Sequence, residues 1–288
     1  MINIITPSSV PSSIAGSEHH KISIPSTIFR SWPAFRIHSS SLFELSRSSF
    51  PSLVQRQTLS LCHPHRLSAF RMAATAVEPI EILVKGATGK PDVLGDCPFC
   101  HRVLLTLEEK NVPYELKLVD LSNKPDWFLE INPEGKVPVM KYEGKWIPDS
   151  DVITVILEEE FPEPSLKTPP ENASVASKIF PCFVKFLKSK DPSDGTEEAL
   201  LTELKSLNDH LQHSGPYVAG DKITAADFSL APKLLHLKVA LAHFKNWSIP
   251  SDLIYVIDYV ETLHARESFV KTRAADEYII SGWLRHMS

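Results

Sequence analysis

Cysteine, long apolar runs and excess basic charge are all scarce in this sequence. Four cysteines in 288 residues, Cys62, Cys97, Cys100 and Cys182, are too few and too unevenly spaced for a secreted disulfide framework, which points to a reducing compartment. No run of about 18 apolar residues occurs, so nothing reads as a membrane-spanning helix and no stable membrane association is expected. With 30 Lys and Arg against 35 Asp and Glu, the formal net charge is -5. That offers no general attraction to nucleic acid or to an anionic bilayer. What is present, 43% hydrophobic and 23% charged residues, is the composition of a globular chain with room for two ordinary domains.

Acidic residues are missing from one region in particular. Up to Arg71 there are seventeen serines and seven Lys or Arg but only two acids, Glu18 and Glu44. Acids become plentiful from Glu78 onward. A Ser-rich, Arg-containing, acid-poor start is the composition of an organelle transit peptide, whereas a secretory signal needs a continuous apolar segment. Residues 1–72 are therefore expected to be a disordered leader, cleaved near Phe70-Arg71-Met72-Ala73 and taking Cys62 with it. Much serine with little amphipathic arginine leans towards a plastid, hence the chloroplast stroma, over a mitochondrion.

Beyond the leader, Ile80 to Val84 reads as a strand, Phe99 to Glu109 as an amphipathic helix and Tyr114 to Val119 as a second strand. A short helix around Trp127-Phe128-Leu129 follows, then a loop at Asn132 to Gly135. A hairpin from Val137 to Trp146 turns at Glu143-Gly144, and a helix runs from Asp149 to Glu160. This order predicts an α/β thioredoxin-like domain over 79–160. Proline-rich 161–170 reads as a linker. Helical signals near 171–189, 196–212, 225–244, 251–264 and 268–279 make 171–288 an all-α C-terminal domain. The clearest helix start is Thr224-Ala225-Ala226-Asp227, a hydroxyl cap with an acid three residues on. Two packed domains of different class leave a cleft, a usual place for a small-molecule site.

Chemistry concentrates at Cys97-Pro98-Phe99-Cys100. A thiolate forms at neutral pH where its charge is stabilised, and a helix N-terminus does this with free N–H groups and the positive end of its dipole. Cys97 stands just before Pro98, which suits a first helical turn. Cys100, one turn on, is a resolving thiol or a shielded spare. Zinc would need two further ligands at suitable spacing. Cys97 to His101 formally fits the C-x-x-C-H haem-attachment pattern, but it opens an amphipathic helix inside an α/β unit, so no metal or haem is expected. A pair of buried core cysteines is the bland alternative.

Two further segments suit a peptide-like ligand. Val137-Pro138 enters a strand, where a cis bond would let Val137 present its N–H and C=O, although an ordinary trans proline fits the sequence too. At Pro148-Asp149-Ser150-Asp151 a helix start offers a carboxylate, a hydroxyl and free N–H groups, for capping, for binding, or for both.

With these residues in place the chain resembles the glutathione transferase superfamily, and within it the plant dehydroascorbate reductases. The resemblance rests on Gly95-Asp96-Cys97-Pro98-Phe99, Leu121 to Pro125, Asn132 to Val139, Pro148 to Ile153 and Ser281-Gly282-Trp283. It implies glutathione-dependent reduction of dehydroascorbate to ascorbate in redox homeostasis, with glutathione as co-substrate, no nucleic-acid partner and a monomeric state. Cys97 would attack the oxidised substrate, and glutathione would capture the oxidised cysteine as a mixed disulfide that a second glutathione releases. By the resemblance, Lys124, Val137, Asp149 and Ser150 match glutathione-binding positions. Lys85 and Asp96 match positions that touch substrate or glutathione, and His236 and Trp283 match glutathione-binding positions in the helical domain. Read as bare residues, the lysines are equally solvated charges, and His236 among leucines is equally a core histidine. Cys100 departs from many cytosolic relatives, which carry serine there. A redox-sensitive binding or membrane-inserting protein like the chloride intracellular channels, which share the domain pair and thiol helix, is the alternative function.

Overall fold

Residues 79–287 are described by the computed structural model, and the predicted leader, with Cys62, lies outside them. The chain starts with strand β1 (Ile80–Ala87), whose alternate residues Ile82 and Val84 face one layer while Leu83 faces the other. A turn at Gly89 leads to β2 (Lys90–Leu94), which pairs antiparallel with the end of β1. The sequence did not announce this strand, because its residues are mostly exposed and it holds a proline. Helix α1 (Pro98–Glu109) and strand β3 (Tyr114–Val119) complete a parallel crossover, with Ile80 to Lys85 in register with Tyr114 to Val119.

Helix α2 (Asp126–Ile131) covers the opposite face of the sheet with Phe128. The hairpin β4 (Val139–Tyr142) and β5 (Lys145–Pro148) then pairs antiparallel with β1 through β4. Helix α3 (Ser150–Glu160) returns alongside α1. Two layers result, one between the sheet and α1 with α3, built on Ile82, Val84, Val103, Leu104, Met140 and Ile153, the other under α2.

The rest is helical. After a short 3-10 turn at Pro170–Asn172 come α4 (Ile179–Lys188), α5 (Thr196–Ser214), α6 (Ala225–Lys245), α7 (Ile254–His264), α8 (Glu267–Thr272) and α9 (Asp276–Met287). The helix expected over 171–189 begins only at Ile179, after a series of turns. The element expected over 268–279 is two helices, because Arg273 between them is extended, with ψ 145°. The acid foreseen as a cap does more than cap: Asp227, fully buried, accepts hydrogen bonds from the N–H groups of Thr224 (2.8 Å) and Val218 (2.9 Å) and from the Tyr259 hydroxyl (2.9 Å).

Helix α1 belongs to both halves. Val103, Leu104 and Leu107 pack on the sheet, while Leu105 packs into the helical core. At its C-terminal end Glu109 takes a two-pronged ion pair from Arg266 (2.7 and 2.8 Å) and a hydrogen bond from the Ser268 hydroxyl. Next to it, buried Lys110 donates to the carbonyls of Phe161 (2.7 Å) and Pro164 (3.0 Å) and pairs with Glu158 (2.7 Å), which pins the proline-rich segment to the α/β layer.

Candidate active site

Cys97 is the N-cap of α1, in extended conformation (φ -76°, ψ 115°), with Pro98 as the first helical residue. Cys97 is half-buried and in no disulfide, whereas Cys100 is buried at 1% exposure. The two thiols divide one task. A hydrogen bond from Cys100 is the strongest influence lowering Cys97, burial opposes it, and the N–H groups of Cys100 and Phe99 and the charge of Lys85 add to the lowering. Cys100 is pushed well up, first by burial and then by its bond to Cys97. Cys97 is thus the thiolate and Cys100 the thiol that donates to it. The third free thiol among the described residues, Cys182, packs beside the helical core.

Close backbone approach brings Lys85 and Asp96 together beside Cys97. The Gly95 N–H donates to the Lys85 carbonyl (2.8 Å), and a Cβ on Gly95 would stand 2.6 Å from the Gly86 carbonyl oxygen, so only glycine fits. Lys85 Nζ then lies 2.7 Å from Asp96 Oδ1.

The loop before β4 is built to present backbone. The Gly135 N–H donates to the Asn132 carbonyl and Asn132 Nδ2 to the Lys136 carbonyl, both at 2.8 Å. The Val137–Pro138 bond is cis, one of the two readings that the strand-entry proline left open. Among the described residues no hydrogen bond reaches the Val137 N–H or C=O. Lys124 belongs to the same corner: a Cβ on Gly135 would stand 2.7 Å from its Nζ.

At the start of α3, capping and an open site occur together. Asp149 is held at φ 75°, a conformation L-residues rarely adopt, and its carboxylate accepts from the N–H groups of Asp151 (2.7 Å) and Val152 (3.3 Å). Strain of this kind concentrates where geometry serves a ligand. Ser150 beside it is buried, with no hydrogen bond from its hydroxyl or N–H among the described residues. Asp151 pairs with Arg102 of α1.

His236 and Trp283 sit behind Asp96, buried at 4% and 9% exposure and bonded to each other by Trp283 Nε1 donating to His236 Nδ1 at 3.0 Å. The structure therefore brings Lys85, Asp96, Cys97 and Cys100 together with His236 and Trp283, and groups Lys124 with the Val137 loop. Phe99 and Phe180, which sequence reasoning did not single out, meet edge to face at 6.2 Å next to the thiol helix, and Phe180 in turn lies 6.4 Å from Trp283. An exposed aromatic between two cysteines was the available signal for Phe99. His101, the histidine of the haem-like pattern, is packed instead against Phe269 (4.6 Å) in the seam between α1 and the helical part.

The chain is similar to known proteins over both parts of the fold. The glutathione S-transferase N-terminal domain matches residues 96–160 and the C-terminal domain residues 193–262. The chain is 61% identical over 220 residues to the chloroplastic glutathione S-transferase DHAR3 of Arabidopsis thaliana, across 76% of this chain and 85% of that one. It is 66% identical over 205 residues to the probable cytosolic glutathione S-transferase DHAR1 of Oryza sativa subsp. japonica, across 71% of this chain and 96% of that one. The crystal structure of Chlamydomonas reinhardtii dehydroascorbate reductase superposes with a TM-score of 0.65 at 40% identity, covering 73% of this chain and all of that one.

Proposed function

This chain belongs to the dehydroascorbate reductases of the glutathione S-transferase family, and we propose that its glutathione-dependent reduction of dehydroascorbate to ascorbate runs on Cys97 as a single nucleophilic thiolate. The observation that carries this reading is the pairing at the α1 N-terminus of half-buried Cys97, its thiol lowered, with buried Cys100, its thiol raised.

The thiolate adds to a carbonyl carbon of dehydroascorbate to give a thiohemiketal. A first glutathione attacks Cys97 Sγ. The S–C bond breaks, its electron pair leaves with the carbon skeleton, and protonation there yields ascorbate. A second glutathione thiolate attacks the glutathione sulfur of the mixed disulfide, so glutathione disulfide leaves and Cys97 returns as thiolate. Two glutathiones are oxidised for each dehydroascorbate reduced. Buried Cys100 supports the thiolate by donation, which favours glutathione over Cys100 as the resolving group.

Glutathione would lie along the α3 start and the Val137 loop. Ser150 would take its γ-glutamyl carboxylate, Val137 would pair with its cysteinyl backbone, and Lys124 would face its glycyl carboxylate, with Asp149 shaping the helix end. Lys85 and Asp96 would border dehydroascorbate. The names of the chloroplastic relatives support a chloroplast location, and the stroma, a cleaved leader over 1–72 and a monomer are part of the same proposal. So are a thioredoxin-like domain over 79–160, a linker over 161–170 and a helical domain over 171–288.

The membrane-inserting alternative is not favoured, since relatives of the dehydroascorbate reductase group match at 61% and 66% identity and no described helix is long and apolar enough to cross a membrane. The test follows ascorbate formation by ultraviolet absorbance with Cys97→Ser. Loss of glutathione-dependent turnover is expected, and turnover near the parent's would refute Cys97 as nucleophile.

A further inference from the structure

Helix α9 lies along the α/β part and meets it at segments far apart in the chain. Near the helix start, the Tyr278 hydroxyl accepts from Lys90 Nζ of β2 at 3.3 Å. Further along, Gly282 stands against the residue before Cys97: a Cβ there would lie 1.9 Å from Asp96 Oδ2, so a side chain at this position would displace that carboxylate. In the last turn, Arg285 Nη1 donates to the Ser122 hydroxyl at 2.8 Å. The helix therefore ends on the loop that joins β3 to α2.

That loop carries Lys124. Ser122 is exposed, and the only other bond given to it is from its own N–H to Asp120 Oδ1, a local turn at 2.8 Å. Lys124 is exposed as well, and among the described residues its side chain has no hydrogen bond or ion pair. Its ammonium passes close over Gly135, so where it points depends on how the backbone of its loop is held. A lysine on a loose loop has to be ordered by the ligand as it binds, whereas on a held loop that cost is met beforehand. Arg285 is the hold that reaches this loop from the helical part.

We propose that Arg285 is a positioning residue for glutathione: by holding Ser122 from the last turn of α9 it fixes the β3–α2 loop, so that Lys124 stands ready for the glycyl carboxylate. Preference for a thiol bearing that carboxylate then depends on a residue of the opposite half of the fold. The proposal rests on the reading of Lys124 as facing the glycyl end, and adds to it a residue that the family resemblance does not name.

The test compares two thiol co-substrates in the full-length protein by following ascorbate formation: glutathione, and glutathione whose glycyl carboxylate is an ethyl ester. With glutathione, Arg285→Ala should raise KM about threefold and leave kcat within about 1.5-fold of the parent, the size expected for one exposed hydrogen bond acting only on binding. Ser122→Ala should do the same. The double variant should be no worse than either single one, because both remove one bond. Arg285→Lys, which keeps a donor without the planar fork, should recover about half of the effect. With the ester, every variant should match the parent, since the group that Lys124 serves is gone. An unchanged KM for glutathione in Arg285→Ala would overturn the proposal. So would an Arg285→Ala effect that persists with the ester, which means general loosening of α9, or a Ser122→Ala variant with the parent's KM, which means direct contact of Arg285 with the ligand. Lys124→Ala separates the two layers: the parent's KM for glutathione in that variant would sink the reading of Lys124 itself.

Discussion

Acid should weaken this protein well before its carboxylates titrate. His101, His236 and His264 all lie in or beside the seam between α1 and the helical part, and burial first of all lowers them, to about 3, about 4 and about 4 from an ordinary 6.5. A group whose folded value is depressed binds fewer protons folded than unfolded. The stability it contributes is therefore complete above the unfolded value and is lost as pH falls from about 6.5 towards the folded one. At pH 5.5 an unfolded imidazole is about nine-tenths protonated and a buried one hardly at all, which costs about 1.4 kcal/mol per histidine and about 4 kcal/mol for three. That compares with a total stability of roughly 5–15 kcal/mol for a typical protein. Urea unfolding at pH 8 and pH 5.5 measures it, and the midpoint should drop by about 1.5 M. His101→Phe isolates one share. Its Nε2 is buried without a hydrogen-bond partner and its ring already packs at a tilt against Phe269. The variant should keep parental stability at pH 8, or gain slightly, and lose about a third of the pH dependence. A parent whose midpoint is flat between pH 8 and 5.5, or a His101→Phe variant with the full parental slope, would refute the reasoning.

Cys100→Ala removes the donor to Cys97 and should slow Cys97 alkylation by iodoacetamide at pH 6 several-fold, read by mass spectrometry of its peptide, whereas Cys100→Ser keeps a donor and should retain most of the turnover in the ascorbate assay. Lys110→Met takes the cation from Glu158 and leaves the carbonyls of Phe161 and Pro164 without their donor, and chemical denaturation should show a loss of about 3 kcal/mol. Asp227→Ala leaves the buried N–H groups of Val218 and Thr224 and the Tyr259 hydroxyl without their acceptor. A loss of at least about 3 kcal/mol is expected by the same measurement.

Local signals carried most of the fold. Strand β1, helix α1 and strand β3 lie within a residue or a few of where their periodicity put them, because each is long and has one plainly apolar face. Strand β2 escaped notice because Lys90-Pro91-Asp92 has no apolar alternation and owes its pairing to the end of β1. The break between α8 and α9 was equally hidden, since Arg273-Ala274-Ala275 carries no glycine or proline to mark it. At the site, Cys97 and a cap at Asp149 or Ser150 were legible from short motifs, and the cis proline as one of two readings of the strand entry. The bond between His236 and Trp283 was not: 47 residues separate them, and His236 in its leucine-rich stretch looks like any core histidine. Asp227 shows the same limit, its capping role visible three residues away and its bond to Tyr259, 32 residues on, invisible.

Helix α1 carries Cys97 at one end and is bolted to the helical part at the other, through Glu109 with Arg266 and Ser268 and through His101 on Phe269. Mechanically it is a beam shared by both halves, so neither half can turn against the other and leave Cys97 where it stands. Any rotation of the halves would carry the sulfur with it and break a part-buried ion pair on the way. Under the proposed mechanism, exchange of glutathione and its disulfide proceeds over a standing wall, by movement of exposed side chains such as Phe99 and Lys124. The rate of that exchange should follow solvent viscosity only weakly, as side-chain gating does and rigid-body domain opening does not.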